Sequence, residues 1–423
     1  MGVQYNPKIV TNGLVTYLDA GNSNKSARGF KNLLNLSTWT LGTGSVTGFS
    51  QNGLTTENQR ILDTGPFGVS ALVWDTPSND VASDGDGGWD GSAISIDNTK
   101  LYRFSVWMRR RVIGNGSYYL GCGSGVLNRV DGVLNNNPYF SASSWPASIL
   151  ADQWMLIVGH IWPAGSGTGT NHVDSGLWNT SGTKFSGPTY NGDFVWQTSS
   201  TSTILRSYLY YSTDTTTRQQ WYQPRIDLVD GTEPTIAELI SGVGSRWYDM
   251  IGTNHSSFVN SAAPYNTNGY IQFDGVDDYT TISIPSTTGS ICFWYYFNAG
   301  TSASKLIMGN SSSMLYVGGA GTGAHWYNNT TDYSFYYDWG NTSQWFYICL
   351  VYDSLTSNKM YVNGNLAYSS TTYSLTKGST YNVAGNYYNP QNCRFGNISV
   401  YNKALTNAEV SQNFDALRGR YGV

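Results

Sequence analysis

Hydrophobic and polar residues alternate along much of the C-terminal part of the chain, with the period of two expected for half-buried β-strands. Alternating or strongly aromatic runs cover residues 270–273, 277–284, 290–297, 345–352, 359–362, 366–368 and 394–401. Asn363-Gly364 separates two of these runs, and such a pair favours a type I′ hairpin turn because both residues tolerate positive φ. The pattern predicts short strands joined by tight turns, as in a β-sandwich.

Two short segments predict helices. Thr406 and Glu409 have the spacing of a capping box, in which each side chain accepts from a free backbone amide of the first turn. Gly419 is placed to end that helix. Thr235 and Glu238 form a second box of the same kind and predict a shorter helix.

The region before residue 243 is also rich in predicted strands. Clean alternation marks residues 101–108, 154–162, 204–211 and 221–228. A chain of 423 residues exceeds what one core usually serves. We therefore predict an all-β fold of two β-sandwich (jelly-roll) domains, with a short C-terminal helix.

Three motifs carry a resemblance to a known family. They are Phe273-Asp-Gly-Val-Asp-Asp-Tyr279, the hairpin from Trp345 to Gly364, and the segment from Ile398 to Val410. In this order they resemble laminin-G-like, concanavalin A-like lectin/glucanase domains, of a type common in bacteriophage structural and tail proteins. The resemblance implies a sandwich domain and leaves its function open.

The same resemblance predicts that this domain is discontinuous. Domains of this type open with a strand similar to residues 13–22, followed within a short loop by a segment similar to residues 247–255. Here a long β-rich stretch separates the two segments, and insertions are tolerated where exposed loops bring chain ends together. We predict one sandwich built from residues 1–28 and 243–423, interrupted at 29–242 by a jelly roll that resembles carbohydrate-binding modules and ends in a short connecting helix.

Charge and targeting patterns narrow the class of protein. A net charge of −4 gives no electrostatic footprint for nucleic acid. No apolar run reaches the 18 or so residues that a membrane span needs, so membrane insertion is not expected. The start, Met-Gly-Val-Gln-Tyr-Asn, lacks the pattern of a signal peptide. We expect a protein assembled in the host cytoplasm that acts outside the cell, as virion proteins do.

The four cysteines, Cys122, Cys292, Cys349 and Cys393, are far apart in sequence and form no zinc-binding spacing. Cys292 and Cys349 lie within apolar strands and read as small hydrophobic residues. A cross-strand disulfide between them remains open, since it requires an oxidising compartment.

Hydrolysis of a glycosidic bond requires two carboxylates on either side of the bond. Related glucanases supply them from a strand carrying Glu-x-Asp-x-Glu, and that motif is absent here. The chain has four glutamates, Glu57, Glu233, Glu238 and Glu409. Two of them belong to capping boxes, so we expect that the protein is not an enzyme.

One segment suggests a metal. Asp84, Asp86 and Asp90 lie in a Gly-rich stretch whose oxygen ligands suit Ca²⁺. A structural calcium ion there is the cofactor that the sequence suggests, and an ordinary solvated loop is the alternative. No other cofactor is expected.

Exposed aromatic rings are the candidate ligand-binding residues, because their apolar faces stack on the C–H groups of sugars. Five tryptophans stand among Gly, Ser, Asn or Asp, as loop-tip residues do: Trp89, Trp145, Trp178, Trp326 and Trp339. The alternative for each is packing into a loop base or a subunit interface.

The resemblance implies a bacteriophage virion protein, such as a tail fibre, spike or capsid appendage. Its expected partners are host-surface polysaccharide and other virion proteins, and the resemblance also implies a homo-oligomer, with a trimer favoured. Two alternatives remain: a capsid decoration or cement protein without glycan binding, and a polysaccharide depolymerase.

Overall fold

The computed structural model describes residues 8–22, 25–78, 81, 84–123, 125–186, 189–242, 245–258, 269–275, 278–285, 288–297, 305–317, 324–328, 331–333, 343–353, 357–370, 380–385 and 392–423. The chain forms two compact units: unit 1 comprises residues 1–30 and 243–423, and unit 2 comprises residues 31–242. The sequence places these boundaries at 28/29 and 242/243.

Unit 1 begins with strands β1 (Leu14–Asp19) and β2 (Ala27–Gly29). Unit 2 follows with two 3₁₀ turns, Leu36–Thr38 and Thr55–Glu57, and with β3 (Gly42–Thr43), β4 (Phe49–Gln51), β5 (Gln59–Thr64), β6 (Ser70–Pro77), β7 (Gly85–Gly91), β8 (Ile94–Ser95), β9 (Tyr102–Val112), β10 (Ser117–Cys122), β11 (Val126–Asn128), β12 (Leu134–Asn135), β13 (Tyr139–Ser144), β14 (Met155–Trp162), β15 (Gly176–Asn179), β16 (Phe194–Trp196), β17 (Ser202–Thr203), β18 (Leu205–Tyr210), β19 (Arg218–Leu228) and helix α1 (Ile236–Ser241).

Unit 1 resumes with β20 (Ser245–Trp247), β21 (Ser256–Ser257), β22 (Ile271–Asp274), β23 (Thr280–Ser283), β24 (Gly289–Phe297), β25 (Lys305–Asn310), β26 (Ser313–Val317), β27 (Ala324–Asn328), β28 (Thr331–Tyr333), β29 (Trp345–Tyr352), β30 (Asn358–Val362), β31 (Asn365–Ser370), β32 (Thr380–Val383), β33 (Asn392–Tyr401) and helix α2 (Asn407–Tyr421). The prediction of an all-β fold is confirmed. Among the described residues, no helix is long and apolar enough to cross a membrane.

Unit 2 is a sandwich of two main sheets. A five-stranded sheet has the order β13-β10-β18-β7-β4, and a ten-stranded sheet runs β12-β11-β16-β14-β9-β19-β6-β5-β3, with β15 also paired to β14. The two sheets share one apolar core, to which β9 contributes Phe104 and Met108 and β10 contributes Tyr118 and Leu120. The opposite face of the five-stranded sheet lies outside this core.

Unit 1 is built in the same way. A seven-stranded sheet has the order β1-β33-β24-β29-β30-β31, with β22 also paired to β33, and a six-stranded sheet runs β23-β32-β25-β26-β27-β28. Phe293 and Ile398 of the first sheet share a core with Met308 and Leu315 of the second. The other face of the seven-stranded sheet carries Trp294 and Tyr347, which pack against α2.

Both capping boxes are confirmed. Thr235 and Glu238 cap α1, and Thr406 and Glu409 cap α2. The predicted end of α2 is wrong, because the helix continues past Gly419 to Tyr421. It stops at Gly422, whose φ of 70° is left-handed and costs a glycine little.

The hairpin turn between β30 and β31 is confirmed. Asn363 and Gly364 have φ values of 49° and 80°, as a type I′ turn requires. Elsewhere in the same sheet, Cys292 and Cys349 are directly opposite on β24 and β29, with 4.0 Å between their Cα atoms, and they form a disulfide.

Candidate functional site

The outer face of the five-stranded sheet in unit 2 carries the candidate site. Along β18, the residues from Leu205 to Leu209 at odd positions point into the core and are fully buried. Because side chains alternate along a strand, Arg206, Tyr208 and Tyr210 lie on the outer face. The neighbouring strand β10 follows the same rule, with Tyr119 half-buried on that outer face.

Five tyrosines gather there. We call them the tyrosine platform: Tyr119, Tyr139, Tyr208, Tyr210 and Tyr211. The ring centroid of Tyr119 lies 4.9 Å from that of Tyr139 and 5.7 Å from that of Tyr210. Tyr208 lies 5.5 Å from Tyr210 and 6.4 Å from Tyr139. The interplanar angles between these rings are 61–83°, so the rings meet edge to face, the arrangement that aromatic pairs favour.

The register of the sheet explains how such bulky rings fit side by side. Gly121 of β10 is paired with both Tyr139 and Arg206. Gly88 of β7 is paired with Tyr208. Because Gly121 has no side chain, the ring of Tyr139 can lie over it, whereas Gly88 allows a close approach to the backbone of Ser207 and Tyr208.

Polar groups surround the rings. The guanidinium of Arg206 lies 4.4 Å from the ring centroid of Tyr139 and donates from Nη2 to Asn137 Oδ1 at 3.0 Å. The Tyr210 hydroxyl donates to Asn52 Oδ1 at 2.9 Å, and the Tyr208 hydroxyl donates to Asp90. The platform therefore combines apolar ring surface with hydrogen-bond donors and acceptors.

Four of the platform tyrosines, Tyr119, Tyr139, Tyr208 and Tyr210, have a raised pKa and stay protonated at physiological pH. Burial is the largest cause that raises the pKa of Tyr119, Tyr139 and Tyr210 above that of a free tyrosine. The pKa of Tyr208 is raised most strongly, by burial and then by its bond to Asp90. Each of these hydroxyls therefore keeps its proton, and those of Tyr208 and Tyr210 donate it to Asp90 and to Asn52 Oδ1.

Tyr211 has an unusual backbone. Its φ is 62°, in the left-handed region, which disfavours residues with a Cβ by about 1–2 kcal/mol. Regular alternation would point its side chain to the face opposite Tyr210, yet its ring lies 5.4 Å from the Tyr210 ring. Tyr211 is 53% exposed. Strained backbone concentrates at functional sites, which marks Tyr211 as a candidate ligand contact.

A cavity of about 320 Å³ adjoins the platform at Tyr139. Its other lining groups are mostly amides and carboxylates: Asn128, Asp131, Asn135, Asn137, Asn191 and Asp193. Ligand pockets use a few fixed polar groups to set orientation. The cavity therefore extends the platform with hydrogen-bonding groups.

Asp193 holds the floor of this cavity in place. Its Oδ1 accepts from His160 N at 3.0 Å, from the Ser175 hydroxyl at 2.7 Å and from the Tyr190 hydroxyl. Its Oδ2 accepts from His172 N at 2.6 Å and from Trp162 Nε1 at 3.1 Å. Five donors satisfy this buried carboxylate, as burial of a charge requires.

The structure corrects the placement of Trp89. It lies within β7 and has no exposed surface, with its ring 5.5 Å from Phe49 and 6.3 Å from Trp39. A ring in the core offers no face to a ligand, so the prediction of an exposed loop tip is wrong. The glycines beside it, which suggested a loop, belong to the strand.

Trp145 and Trp178 are half-buried, and among the described residues neither makes a ring contact with the platform. Trp145 follows β13, donates to Ile149 O at 3.0 Å and packs on Tyr118. Trp178 lies within β15, donates to Asp174 O at 2.9 Å and has Lys184 Nζ 4.9 Å from its ring. Both anchor local structure, and their roles as ligand contacts remain predictions.

The remaining two candidate tryptophans are in unit 1. Trp326 belongs to β27, where it pairs with Leu315 and Tyr333, and its side chain lies outside the described residues. Trp339 lies outside the described residues altogether.

The three carboxylates proposed for calcium are not brought together. Asp84 is exposed, whereas Asp86 is buried and accepts from Ser212 N at 2.8 Å. Asp90 accepts from the Tyr208 hydroxyl. The segment is largely a strand, so its side chains are spread along it at about 3.3 Å per residue. The described residues contain no group of three or more His, Cys, Asp or Glu arranged to hold a metal.

Each of the four glutamate side chains accepts a hydrogen bond from a backbone amide. Glu57 accepts from Leu54 N at 2.7 Å, and Glu233 accepts from Gly231 N at 2.8 Å. Glu238 and Glu409 complete the two capping boxes. Each carboxylate is therefore engaged with a turn or a helix start.

The tyrosine platform was not predicted, because the prediction of ligand-binding residues considered only tryptophans in loops. The signal was present in one strand only, where Arg206, Tyr208 and Tyr210 occupy alternate positions. The partners Tyr119 and Tyr139 come from other strands, and their register could not be deduced from this pattern.

Comparison with known proteins gives one match in sequence. Residues 266–411 match the Laminin_G_3 family model, described as the concanavalin A-like lectin/glucanases superfamily. This covers roughly a third of the chain and lies entirely within unit 1. No curated protein matches the chain.

Similar solved structures include receptor-binding and sugar-binding domains. The botulinum neurotoxin serotype D binding domain has 15% identity and a TM-score of 0.32 over 40% of this chain and 48% of that one. Domain 4 of AbnA, a GH43 extracellular arabinanase from Geobacillus stearothermophilus, solved with arabinotriose, has 15% identity and a TM-score of 0.30 over 39% and 91%. The chain spans about half the length of the neurotoxin domains that it matches. Similarity at this level identifies no ligand.

Proposed function

We propose that unit 2 binds carbohydrate through the tyrosine platform. The observation that carries this proposal is the cluster of tyrosine rings on the outer face of a sheet, with ring centroids 4.9–6.4 Å apart. Tyr208 is itself buried, and the half-buried Tyr119, Tyr139 and Tyr210 supply the accessible ring surface. Tyrosine supplies broad apolar contact at low entropic cost, because only two side-chain torsions need to be fixed. The rings suit the C–H faces of sugars, and their hydroxyls suit sugar oxygens.

The cavity beside Tyr139 supports the same proposal. A sugar ring presents hydroxyls that both donate and accept, and amide side chains such as Asn137 and Asn191 match both roles. A chain of several sugars lying over Tyr210, Tyr119 and Tyr139 reaches the cavity at its end. This arrangement favours an oligosaccharide over a single sugar.

We also propose that the protein binds glycans without cleaving them. The placement of all four glutamates in turns and helix starts supports this proposal. Ser175, His160 and Asp193 lie together, but the Ser175 hydroxyl donates to Asp193 and is 6% exposed as a residue. Ser175 does lie within hydrogen-bonding distance of a base, His160 Nδ1, at 2.7 Å. A serine nucleophile must also be accessible to its substrate, and the buried Ser175 is not.

Binding is tested on a glycan array, followed by titration of the best oligosaccharide against variants of the full chain. Tyr119→Ala and Tyr210→Ala each remove a half-exposed ring and are expected to weaken binding at least about tenfold, equivalent to about 1.4 kcal/mol. Tyr222→Ala is the matched control, because Tyr222 is a half-buried tyrosine on the other sheet of unit 2.

Two results bear on the competing site predictions. Unchanged binding by both platform variants, together with loss in Trp145→Ala, Trp178→Ala, Trp326→Ala or Trp339→Ala, would move the site from the platform to the tryptophans. Release of new reducing ends from host polysaccharide by the unmodified protein would overturn the non-hydrolytic proposal and revive a depolymerase.

We further propose that the protein is a bacteriophage virion component, a tail fibre, spike or capsid appendage, that recognises host-surface polysaccharide or neighbouring virion subunits. The three sequence motifs of unit 1 support this context. Mass spectrometry and immunogold labelling of purified particles test it, and sedimentation tests the expected trimer. A chain found on capsids that binds no glycan would instead identify a decoration or cement protein.

A further inference from the structure

A second surface group lies on the seven-stranded sheet of unit 1. Gln272 of β22 pairs with Arg394 of β33, Arg394 pairs with Tyr296 of β24, and Tyr296 pairs with Trp345 of β29. The four residues form a line across four adjacent strands, and Tyr270 adds a ring beside it. We call these five residues the arginine–aromatic row. All five are half-buried.

The row lies next to α2 on the outer face of the sheet. Tyr421, the last residue of α2, has its ring 4.6 Å from that of Trp345. The Trp345 ring is in turn 5.4 Å from Tyr296 and 6.1 Å from Tyr270. The helix covers the outer face as far as Trp345, and the row continues from there.

Arg394 is held in a fixed orientation. Its guanidinium carbon lies 4.7 Å from the ring centroid of Tyr270 and 4.6 Å from that of Tyr296. Its Nε donates to Gln272 Oε1 at 2.9 Å. Gln272 is itself fixed, because its Nε2 donates to Phe273 O at 2.9 Å and to Asn392 Oδ1 at 3.0 Å. Rings and amide together order a side chain that otherwise has many rotamers.

The outer edge of the guanidinium has no partner among the residues that the structure describes. Among the described residues, Arg394 makes one hydrogen bond, through Nε, and forms no ion pair with a carboxylate. Arg420 of the same unit differs, since it is paired with Asp19 at 2.6 Å. The two terminal nitrogens of Arg394 therefore offer the parallel pair of donors that binds a carboxylate in a bidentate manner.

We propose that the arginine–aromatic row is a second binding site, which takes the carboxylate of an acidic sugar. The guanidinium binds the carboxylate through its two terminal nitrogens. The hydroxyls of Tyr270 and Tyr296, which make no hydrogen bond to other described residues, bind hydroxyl groups of the sugar. A sugar acid fits this combination because it carries a planar anion and neutral hydroxyls on one small ring.

The test uses tetragalacturonate as probe and its methyl ester as matched ligand, since esterification removes the charge and keeps the sugar. Calorimetric titration of the full chain is expected to show binding of the acid, and binding of the ester weaker by at least about tenfold. Binding is also expected to weaken between about 20 mM and about 300 mM salt, because a half-exposed charge pair is screened.

Variants locate the site. Arg394→Gln is expected to abolish binding of tetragalacturonate. Arg394→Lys is expected to weaken it at least about tenfold, because lysine keeps the charge but lacks the parallel pair of donors. Tyr296→Phe preserves the ring that holds Arg394 and removes one hydroxyl, so it tests the site without the risk of unfolding. Arg418→Gln is the control, since Arg418 is an exposed arginine of α2 paired with Asp415.

Binding that survives in Arg394→Gln, or that is equal for acid and ester, would overturn the proposal. Competition by oligoglutamate or inorganic phosphate as strong as that by tetragalacturonate would show a general anion site and overturn the assignment to sugars. The proposal is independent of the tyrosine platform, because Tyr119→Ala leaves the row intact. Loss in Tyr119→Ala with full binding in Arg394→Gln would place the acidic sugar on the platform.

Discussion

Gly121 lies directly beneath the ring of Tyr139. A Cβ atom on Gly121 would stand 2.6 Å from Tyr139 Cδ1 and 2.4 Å from the carbonyl oxygen of Pro138. Both distances are far below van der Waals contact, and the second involves backbone that cannot rotate away. The position of the Tyr139 ring, and with it the join between platform and cavity, therefore depends on a glycine at position 121.

Gly121→Ala is expected to displace Tyr139 and weaken glycan binding by at least about tenfold. Because an added methyl also strains the backbone, the free energy of unfolding should fall by about 1–3 kcal/mol. Glycan titration and chemical denaturation measure the two effects. Gly419→Ala is the control, since nothing lies within 4 Å of a Cβ at that helical position. Unchanged glycan binding and stability in Gly121→Ala would mean that Gly121 does not fix the Tyr139 ring.

Tyr211→Gly is expected to separate stability from binding. Glycine removes the cost of the left-handed backbone, about 1–2 kcal/mol, and loses part of this gain to the entropy of the unfolded chain. The free energy of unfolding should therefore be unchanged or slightly higher, while glycan binding falls with the loss of the ring.

Tyr211→Ala is the matched variant for that experiment, because it removes the same ring and keeps the strain. Thermal unfolding of the two variants should differ, with alanine the less stable. Equal stability would contradict the idea that the backbone at Tyr211 is strained for the sake of its ring.

The buried His160 predicts a dependence of stability on pH. Burial is the largest cause that lowers the pKa of His160 below its ordinary value, and nearby His172, Arg103 and Lys184 lower it further. The unfolded chain therefore takes up a proton first as pH falls. Stability should be full above about pH 6.5 and should decline below it, by at most about 1.4 kcal/mol per pH unit.

His160→Asn isolates this contribution. The amide keeps a partner for Ser175, whose hydroxyl lies 2.7 Å from His160 Nδ1, and it does not titrate. The variant should be less stable at neutral pH, yet its stability should fall less steeply between about pH 6.5 and pH 5. Denaturation curves across this range measure both slopes, and identical slopes would assign the pH dependence to other groups.

Asp193→Asn is expected to cost about 3 kcal/mol of the free energy of unfolding. One of the two acceptor oxygens becomes an NH₂ group and faces N–H donors from the backbone of His160 or His172. Asp131→Asn is the control, because Asp131 lines the same cavity but is exposed and, among the described residues, accepts from Val133 N only. Equal denaturation midpoints for the two variants would show that Asp193 is not essential to the cavity floor.

The strands of both units could be predicted where alternation was strong, because a sheet with one buried face imposes a period of two. The run 345–352 coincides with β29 (Trp345–Tyr352). Both helix starts were also visible, since a capping box is a local pattern that depends on no distant contact. The end of α2 could not be predicted in the same way. Gly419 and Gly422 are both candidates to end a helix, and only Gly422 adopts the left-handed conformation.

The error at Trp89 has a different origin. The glycines around Trp89 favour a loop on the sequence pattern alone, but Gly87 and Gly88 lie where other chain segments approach closely. A Cβ on Gly88 would stand 2.2 Å from Ser207 O, and one on Gly87 would stand 2.4 Å from Thr76 Cγ2. Contacts of this kind join residues far apart in sequence, so no local pattern reveals them.

The pairing of β1 with β33 has a consequence for the growing polypeptide. Among the described residues, β1 lies at the edge of its sheet and pairs with β33, a segment that the ribosome adds about 380 residues later. The strands of unit 2 pair among themselves between residues 42 and 228. During translation, unit 2 can therefore complete its sheets first, while β1 of unit 1 has no partner until the ribosome reaches β33.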